Sequence, residues 1–175
     1  MPVYAFMDML VLPKLLRDKY MSQLASSGTL PDITKAKTQE IIRAQLNEIF
    51  NTFPQLDGLI IRFGETYTFD TPYHAGGNPI LTQDAAGIQG HINLINILRD
   101  EVCVKRNKKI FYRTWDFGFI HTNLTNYLAI TNNITPHENL CFSIKYTNLL
   151  CPPFPEFQYV ESLLSNKKSV YEFSY

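Results

Sequence analysis

The chain has 175 residues and equal numbers of basic and acidic side chains, 16 of each, so its formal net charge is zero. This balance argues against a partner held by bulk electrostatics, and we therefore expect no nucleic acid and no anionic membrane surface to bind. The length suits a single domain over residues 1–175, and no apolar run reaches the roughly 18 residues of a membrane-spanning helix.

The first quarter of the chain predicts a strand followed by a helix. Residues 2–13 begin as a strand, with Asp8 near its end, and residues 14–25 are compatible with a helix. The Gly, Pro and Ser content of residues 26–32 predicts a loop.

A long amphipathic helix and a buried strand follow. Asp32 is predicted to cap the helix, which Pro54 ends. The apolar residues of this helix recur at helical spacing, at Ile42, Leu46, Ile49, Phe50 and Phe53. The stretch 56–65 (LDGLIIRFGE) then reads as a buried strand that delivers Arg62 and Glu65 at its far end.

The rest of the chain alternates between predicted helices and strands. In order, the predicted elements are a long loop over 66–87, a helix over 87–108, a strand over 109–115, a helix over 122–134, a strand over 140–146, irregular structure over 151–157, one or two helical turns over 159–166 and a strand over 169–174. Loops as long as the one over 66–87 are more often functional than accidental.

This alternation predicts an α/β fold. Strands separated by helical crossovers are expected to be parallel. The chain supports about five such strands, whereas a complete barrel usually needs roughly 250 residues, so we predict a partial (β/α) barrel of about five consecutive βα units. The alternative is an open doubly wound sheet, but no Gly-rich phosphate turn follows the first strand, and we expect no cofactor.

The predicted strands carry ionisable or aromatic side chains near their carboxyl ends. These are Arg62 and Glu65, then Arg113, Trp115 and Asp116, then Lys145, and finally Glu172. They predict either a structural salt-bridge network at a barrel mouth or a binding site. Two carboxylates on different strands suit glycoside hydrolysis, and Arg and Lys side chains suit the carboxylate of an anionic sugar.

Five motifs in one order resemble the α-glucuronidase families of glycoside hydrolases. They are IIRFGE, YHAGGN over 73–78, YRTWDF, SIKYT and VYEF, and together they span roughly residues 56–175. The resemblance implies a uronic-acid-containing glycan as ligand. It implies Glu65 as the general acid, Glu172 as one of the paired carboxylates, Arg113 and Lys145 in the uronic-acid pocket, and His74 and Asn78 as polar loop residues. Arg62, Trp115 and Asp116 complete the predicted substrate-binding set.

The chain departs from that family at one position. In those enzymes an Asp-Phe pair follows the Ile-Lys strand and supplies the second water-activating carboxylate, whereas this chain has Leu149, Leu150 and Cys151 there. Two hypotheses therefore stay open: a glycoside hydrolase, and a non-catalytic interaction or structural subunit. In the second, another chain covers the exposed edge of the partial barrel.

Cysteines and sequons give hints about location. The three cysteines, Cys103, Cys141 and Cys151, have no metal-ligand spacing and are predicted to be buried thiols, with a Cys141–Cys151 disulfide as the alternative. Two glycosylation sequons begin at Asn123 and Asn133, where surface structure is expected, and they favour a secreted or extracellular protein.

Overall fold

A computed structural model describes most of the chain. The described residues are 1–25, 31–62, 73–75, 85–114, 120, 123–146 and 168–173. In chain order the elements are strands β1 (Tyr4–Asp8) and β2 (Leu12–Pro13), helices α1 (Lys14–Leu24) and α2 (Ala36–Thr52), strands β3 (Gly58–Arg62) and β4 (His74–Ala75), helix α3 (Ala85–Leu98), a π-helical segment (Arg99–Val104), strand β5 (Lys109–Arg113), helix α4 (Leu124–Thr131), and strands β6 (Leu140–Tyr146) and β7 (Lys168–Phe173).

Five strands form one parallel sheet. Their order across the sheet, β1-β3-β5-β6-β7, is the same as their order along the chain. Each neighbouring pair is parallel. Parallel neighbours need a crossover connection, and helices supply it between β1 and β3, between β3 and β5, and between β5 and β6. The predicted α/β fold with parallel βα units is therefore confirmed at this level.

A second, two-stranded sheet lies outside the main one. Strand β2 pairs antiparallel with β4, so that Leu12 faces Ala75 and Pro13 faces His74. The backbone N–H of Lys14 also donates to the carbonyl of Tyr73 at 2.7 Å. The prediction of an irregular loop over 66–87 is wrong at these positions, because β4 finds its partner about 60 residues away in sequence and nothing local signals it.

The start of α2 differs from the prediction. Asp32 does not cap the helix, which begins at Ala36 after Lys35. Instead, Oδ1 of Asp32 accepts hydrogen bonds from the backbone N–H of Thr34 at 2.8 Å and from its hydroxyl at 2.6 Å. Asp side chains readily bond to the backbone two residues on, and here that local turn takes the carboxylate away from the helix.

The helices cover one face of the sheet. Alternate strand residues, among them Leu59, Ile61, Ile110, Tyr112 and Phe142, share one buried cluster with residues of α2, α3 and α4. Side chains alternate between the two faces of a strand, so the residues between these positions belong to the opposite face. On that opposite face Phe6 is 64% exposed. The sheet therefore has an apolar face under the helices and a second face that carries the strand-end charges.

A buried polar pair joins α3 to the helix-covered face. Nδ1 of His91 lies 2.6 Å from the hydroxyl of Tyr112, and both side chains are buried. A hydrogen bond of this kind satisfies polar groups inside a core. We therefore regard His91 as a structural residue.

Strands β3 and β5 approach each other closely at Gly58. A Cβ atom placed there would lie 2.0 Å from the carbonyl oxygen of Lys109, and its three nearest atoms would all belong to the Lys109 backbone. Tyr4 is in register with Gly58, and its ring meets the ring of Phe111 edge-on at 5.1 Å. The missing side chain at Gly58 thus lets two strands and two rings pack together.

The helix predicted over 87–108 is in fact α3 followed by a π-helical segment. Glu101 in that segment forms salt bridges with three cations. Its side chain is 12% exposed and accepts hydrogen bonds from Arg43 at 3.0 Å, Lys105 at 3.2 Å and Arg106 at 3.2 Å. Burial by itself raises the pKa of Glu101, but the hydrogen bonds from the three cations outweigh it and hold that pKa below its ordinary value. The salt bridge between Arg43 and Glu101 joins α2 to the π-helical segment.

Two of the three cysteines, Cys103 and Cys141, are described, and both are buried, as predicted. Cys151, and with it the alternative Cys141–Cys151 disulfide, lies outside the described residues. Burial raises the pKa of the Cys103 thiol to about 12.

Candidate functional site

The carboxyl ends of β1 and β3 are joined by an ion pair. Asp8 and Arg62 are the last residues of these strands and face each other in register. Oδ2 of Asp8 accepts from Nε of Arg62 at 3.0 Å and lies 2.9 Å from its Nη2. The Asp8 side chain is 9% exposed and that of Arg62 is 36% exposed. The carboxylate is thus buried behind a guanidinium that reaches solvent.

The next strand ends on a second, more deeply buried arginine. Arg113 closes β5, is 7% exposed and faces Ser143 of β6 in register. Thr114, the following residue, donates from its backbone N–H at 2.9 Å and from its hydroxyl at 3.1 Å to the carbonyl of Ser143. These bonds hold the end of β5 firmly against β6.

The register places these residues in one row. Ile61 faces Tyr112, so Arg62, one residue on, comes beside Arg113. By strand alternation the row lies on the face opposite the helices. One carboxylate, two guanidinium groups and a hydroxyl therefore follow each other across four strands, at the last residues of β1, β3 and β5 and in the middle of β6. Guanidinium groups are able to bind carboxylates through two parallel hydrogen bonds.

Two further predicted residues meet in the next ladder. Lys145 of β6 and Glu172 of β7 are register partners, two positions beyond the pair of Ser143 and Val170. The sheet therefore brings an acidic and a basic position from remote parts of the sequence side by side at its carboxyl end.

His74 lies on the small two-stranded sheet, within the described residues. His74 is exposed and lies on β4, opposite Pro13 of β2, which follows β1 after a short turn. In that turn the buried Leu10 has a φ of 65°, a left-handed conformation that a leucine rarely adopts. This turn leads the chain from the Asp8 end of β1 to the partner strand of His74.

The remaining predicted site residues, Glu65, Asn78, Trp115 and Asp116, lie outside the described residues. Conversely, the sequence-based site set omits Asp8, Thr114 and Ser143. Asp8 had the same signal as Arg62, namely a charge at the end of an apolar strand. Its partner, however, lies 54 residues away.

Within the described ranges, no group of three or more His, Cys, Asp or Glu side chains is arranged to hold a metal ion. A search of the same residues finds no helix that is both long and apolar enough to cross a membrane.

No protein-family model matches the chain, and no curated protein matches it in sequence. The resemblance to α-glucuronidases therefore rests on the order of the motifs alone.

Proposed function

We propose that the chain is a partial (β/α) barrel of the glycoside hydrolase type that recognises uronic-acid-containing glycans at the carboxyl ends of its strands. The strand order supports the barrel: it follows the chain without reversal across five strands. A doubly wound sheet reverses its order at a switch point, whereas a barrel adds each strand beside the previous one.

One observation carries the function, the row of Asp8, Arg62, Arg113 and Ser143. Barrel enzymes of this class build their active sites at the carboxyl ends of the strands, and the row lies there. Guanidinium groups grip carboxylates in a planar, two-pronged fashion, which suits the carboxylate of a uronic acid.

Binding is tested by titrating the full chain with a xylo-oligosaccharide that carries one glucuronic acid and with its unsubstituted counterpart. We expect tighter binding of the acidic sugar, and Arg113→Gln should remove most of that preference. Lys109→Gln is the matched control, because Lys109 lies at the opposite end of the same strand and is exposed. Equal affinity of the wild-type chain for the two sugars would refute the proposal.

Hydrolysis is the more specific part of the proposal. In it, Glu65 protonates the leaving oxygen, Glu172 helps to activate water, and Arg113 and Lys145 hold the substrate carboxylate. The register partnership of Lys145 and Glu172 supports a shared location. Leucine stands at position 150, near the place where the α-glucuronidases that the motifs resemble carry an aspartate, and we therefore expect a slow reaction, since the loss of a catalytic residue lowers rates by orders of magnitude.

Catalysis is tested by measuring glucuronic acid released from the same acidic oligosaccharide. We expect Glu65→Gln to abolish release and to leave binding intact. Glu48→Gln is the control, because Glu48 lies on the exposed side of α2. Release that persists unchanged in Glu65→Gln would remove the catalytic assignment while leaving the binding proposal standing.

A second candidate function is that of a non-catalytic interaction subunit. The observation that favours it is Phe6, which is 64% exposed on the face opposite the helices. Phe6 belongs to β1, an edge strand of the sheet, and in this proposal a further chain covers that edge and completes the barrel. Light scattering during size-exclusion chromatography of the full chain tests it: a stable, soluble monomer would count against an obligate partner.

A further inference from the structure

The Asp8–Arg62 pair is asymmetric in a way that suggests a division of roles. Asp8 is the more buried partner, 9% exposed, whereas Arg62 is 36% exposed. Both contacts converge on one oxygen of Asp8, from Nε and Nη2, which lie on the same edge of the guanidinium. Holding that edge fixes the plane of the guanidinium and the direction in which the group faces solvent.

Orientation matters for an arginine more than for a lysine. The guanidinium is a rigid planar fork, and its two-pronged bonds to a carboxylate form only when the plane is correctly aligned. A side chain locked by a buried neighbour makes a more precise site than one left to its own rotamers. The next position in the row is the buried Arg113, so a ligand carboxylate bound by Arg62 would lie next to a second arginine position.

We infer that Asp8 is a positioning residue for Arg62, which it holds in the orientation that receives the carboxylate of an anionic sugar. This inference rests on the proposed function and adds a residue that none of the motifs contains. Asp8 does not touch the ligand; it acts through Arg62.

A second tie between the same two strands provides a matched control. At the amino ends of β1 and β3, Oδ2 of Asp57 accepts from the backbone N–H of Val3 at 2.6 Å. Both carboxylates link β1 to β3 across the same separation of 54 residues. Only Asp8 lies in the row with the two arginines. Asp8→Asn and Asp57→Asn therefore remove similar ties at opposite ends of one strand pair.

The experiment titrates the full chain with the glucuronic-acid-bearing xylo-oligosaccharide and with its neutral counterpart, and records the melting temperature of each variant. We expect Asp8→Asn to lower the affinity for the acidic sugar about tenfold, the scale of one lost charge-assisted hydrogen bond, and to leave the neutral sugar unaffected. Asp57→Asn should keep the ratio of acidic to neutral affinity. A purely structural Asp8 would lower the melting temperature without changing that ratio.

The variant Arg62→Lys provides a second test of the inference in the same titration. It keeps the charge but loses the planar fork, so we expect the same loss of acidic preference. The double variant Asp8→Asn/Arg62→Lys should then be no worse than either single one, because both remove the same oriented contact. If Asp8→Asn unfolds too readily for titration, Arg62→Lys decides, since an unchanged ratio there means that orientation is irrelevant.

The outcomes separate the inference from the function on which it rests. A wild-type chain that does not prefer the acidic sugar overturns the proposed function and this inference together. A wild-type preference that Asp8→Asn retains or increases overturns the inference alone, because Asp8 would then merely neutralise Arg62.

Discussion

Replacing Gly58 by alanine tests whether close strand packing, rather than backbone freedom, requires a glycine there. Glycine to alanine normally stabilises a protein by about 0.4–1 kcal/mol when the backbone conformation permits it, because the unfolded chain loses freedom. At Gly58 the added Cβ would lie 2.0 Å from the Lys109 carbonyl oxygen and 2.7 Å from its carbonyl carbon. Van der Waals contact needs about 3.4 Å or more, so β3 and β5 would have to separate.

Because the clash is with backbone, no side-chain rotamer can relieve it. Overpacking of this kind costs about 1–3 kcal/mol, which exceeds the entropic gain and decides the sign. For a chain of this size the melting temperature should fall by roughly 2–4 °C for each kcal/mol. Thermal unfolding followed by circular dichroism measures it, with Lys109→Ala as the control. We expect Lys109→Ala to be near neutral and not to rescue Gly58→Ala. Rescue, or an unchanged or higher melting temperature in Gly58→Ala, would refute the backbone argument.

Two further predictions concern ionisable groups away from the strand ends. Because the folded-state pKa of Glu101 is lowered, the carboxylate stabilises the protein at neutral pH, and that contribution is lost as the pH falls through the lowered pKa. Glu101→Gln should therefore lower the free energy of unfolding by about 1–3 kcal/mol at neutral pH and by progressively less in acid. Urea unfolding measures this difference between the variant and the wild-type chain, and a difference that does not change with pH would contradict the prediction. The raised pKa of Cys103, about 12, keeps its thiol protonated and poorly nucleophilic. Peptide mass spectrometry should therefore find Cys103 alkylated by iodoacetamide in denaturant but not in the native protein. If Cys103 in the native protein were labelled as fast as in the unfolded chain, the thiol would not be buried.

The strands of the main sheet could be predicted from the sequence because their signals are local. The apolar run over 140–146 coincides with β6, and those near 58, 109 and 169 fall on β3, β5 and β7. What the sequence did not reveal depends on partners elsewhere in the chain. Strand β4 exists only because it pairs with β2. Helical periodicity also did not reveal the switch from α3 to a π-helical segment, because that switch is a change in the backbone hydrogen-bond pattern over only six residues.

The candidate site was predictable to the same extent and for the same reason. Arg62 and Arg113 were expected at strand ends, and the register brings them side by side. The role of Asp8 was not predictable, because only the pairing of β1 with β3 brings it to Arg62. A charge at the end of a strand can thus be read from the local sequence, whereas the side chains next to it are determined by the register of the strands.

The charged residues at the two edges of the sheet make different kinds of contact. At the amino edge the charges serve the backbone: Asp57 accepts from the N–H of Val3, and Nζ of Lys108 donates to the carbonyls of Pro54 at 3.0 Å and of Leu56. Such bonds satisfy backbone groups where strands begin and loops end. At the carboxyl edge, by contrast, Asp8 bonds to another side chain, and a second arginine adjoins it in the row. Because Asp57 and Lys108 bond to backbone groups at the amino edge, we expect changes there to alter stability and to leave ligand binding unaffected.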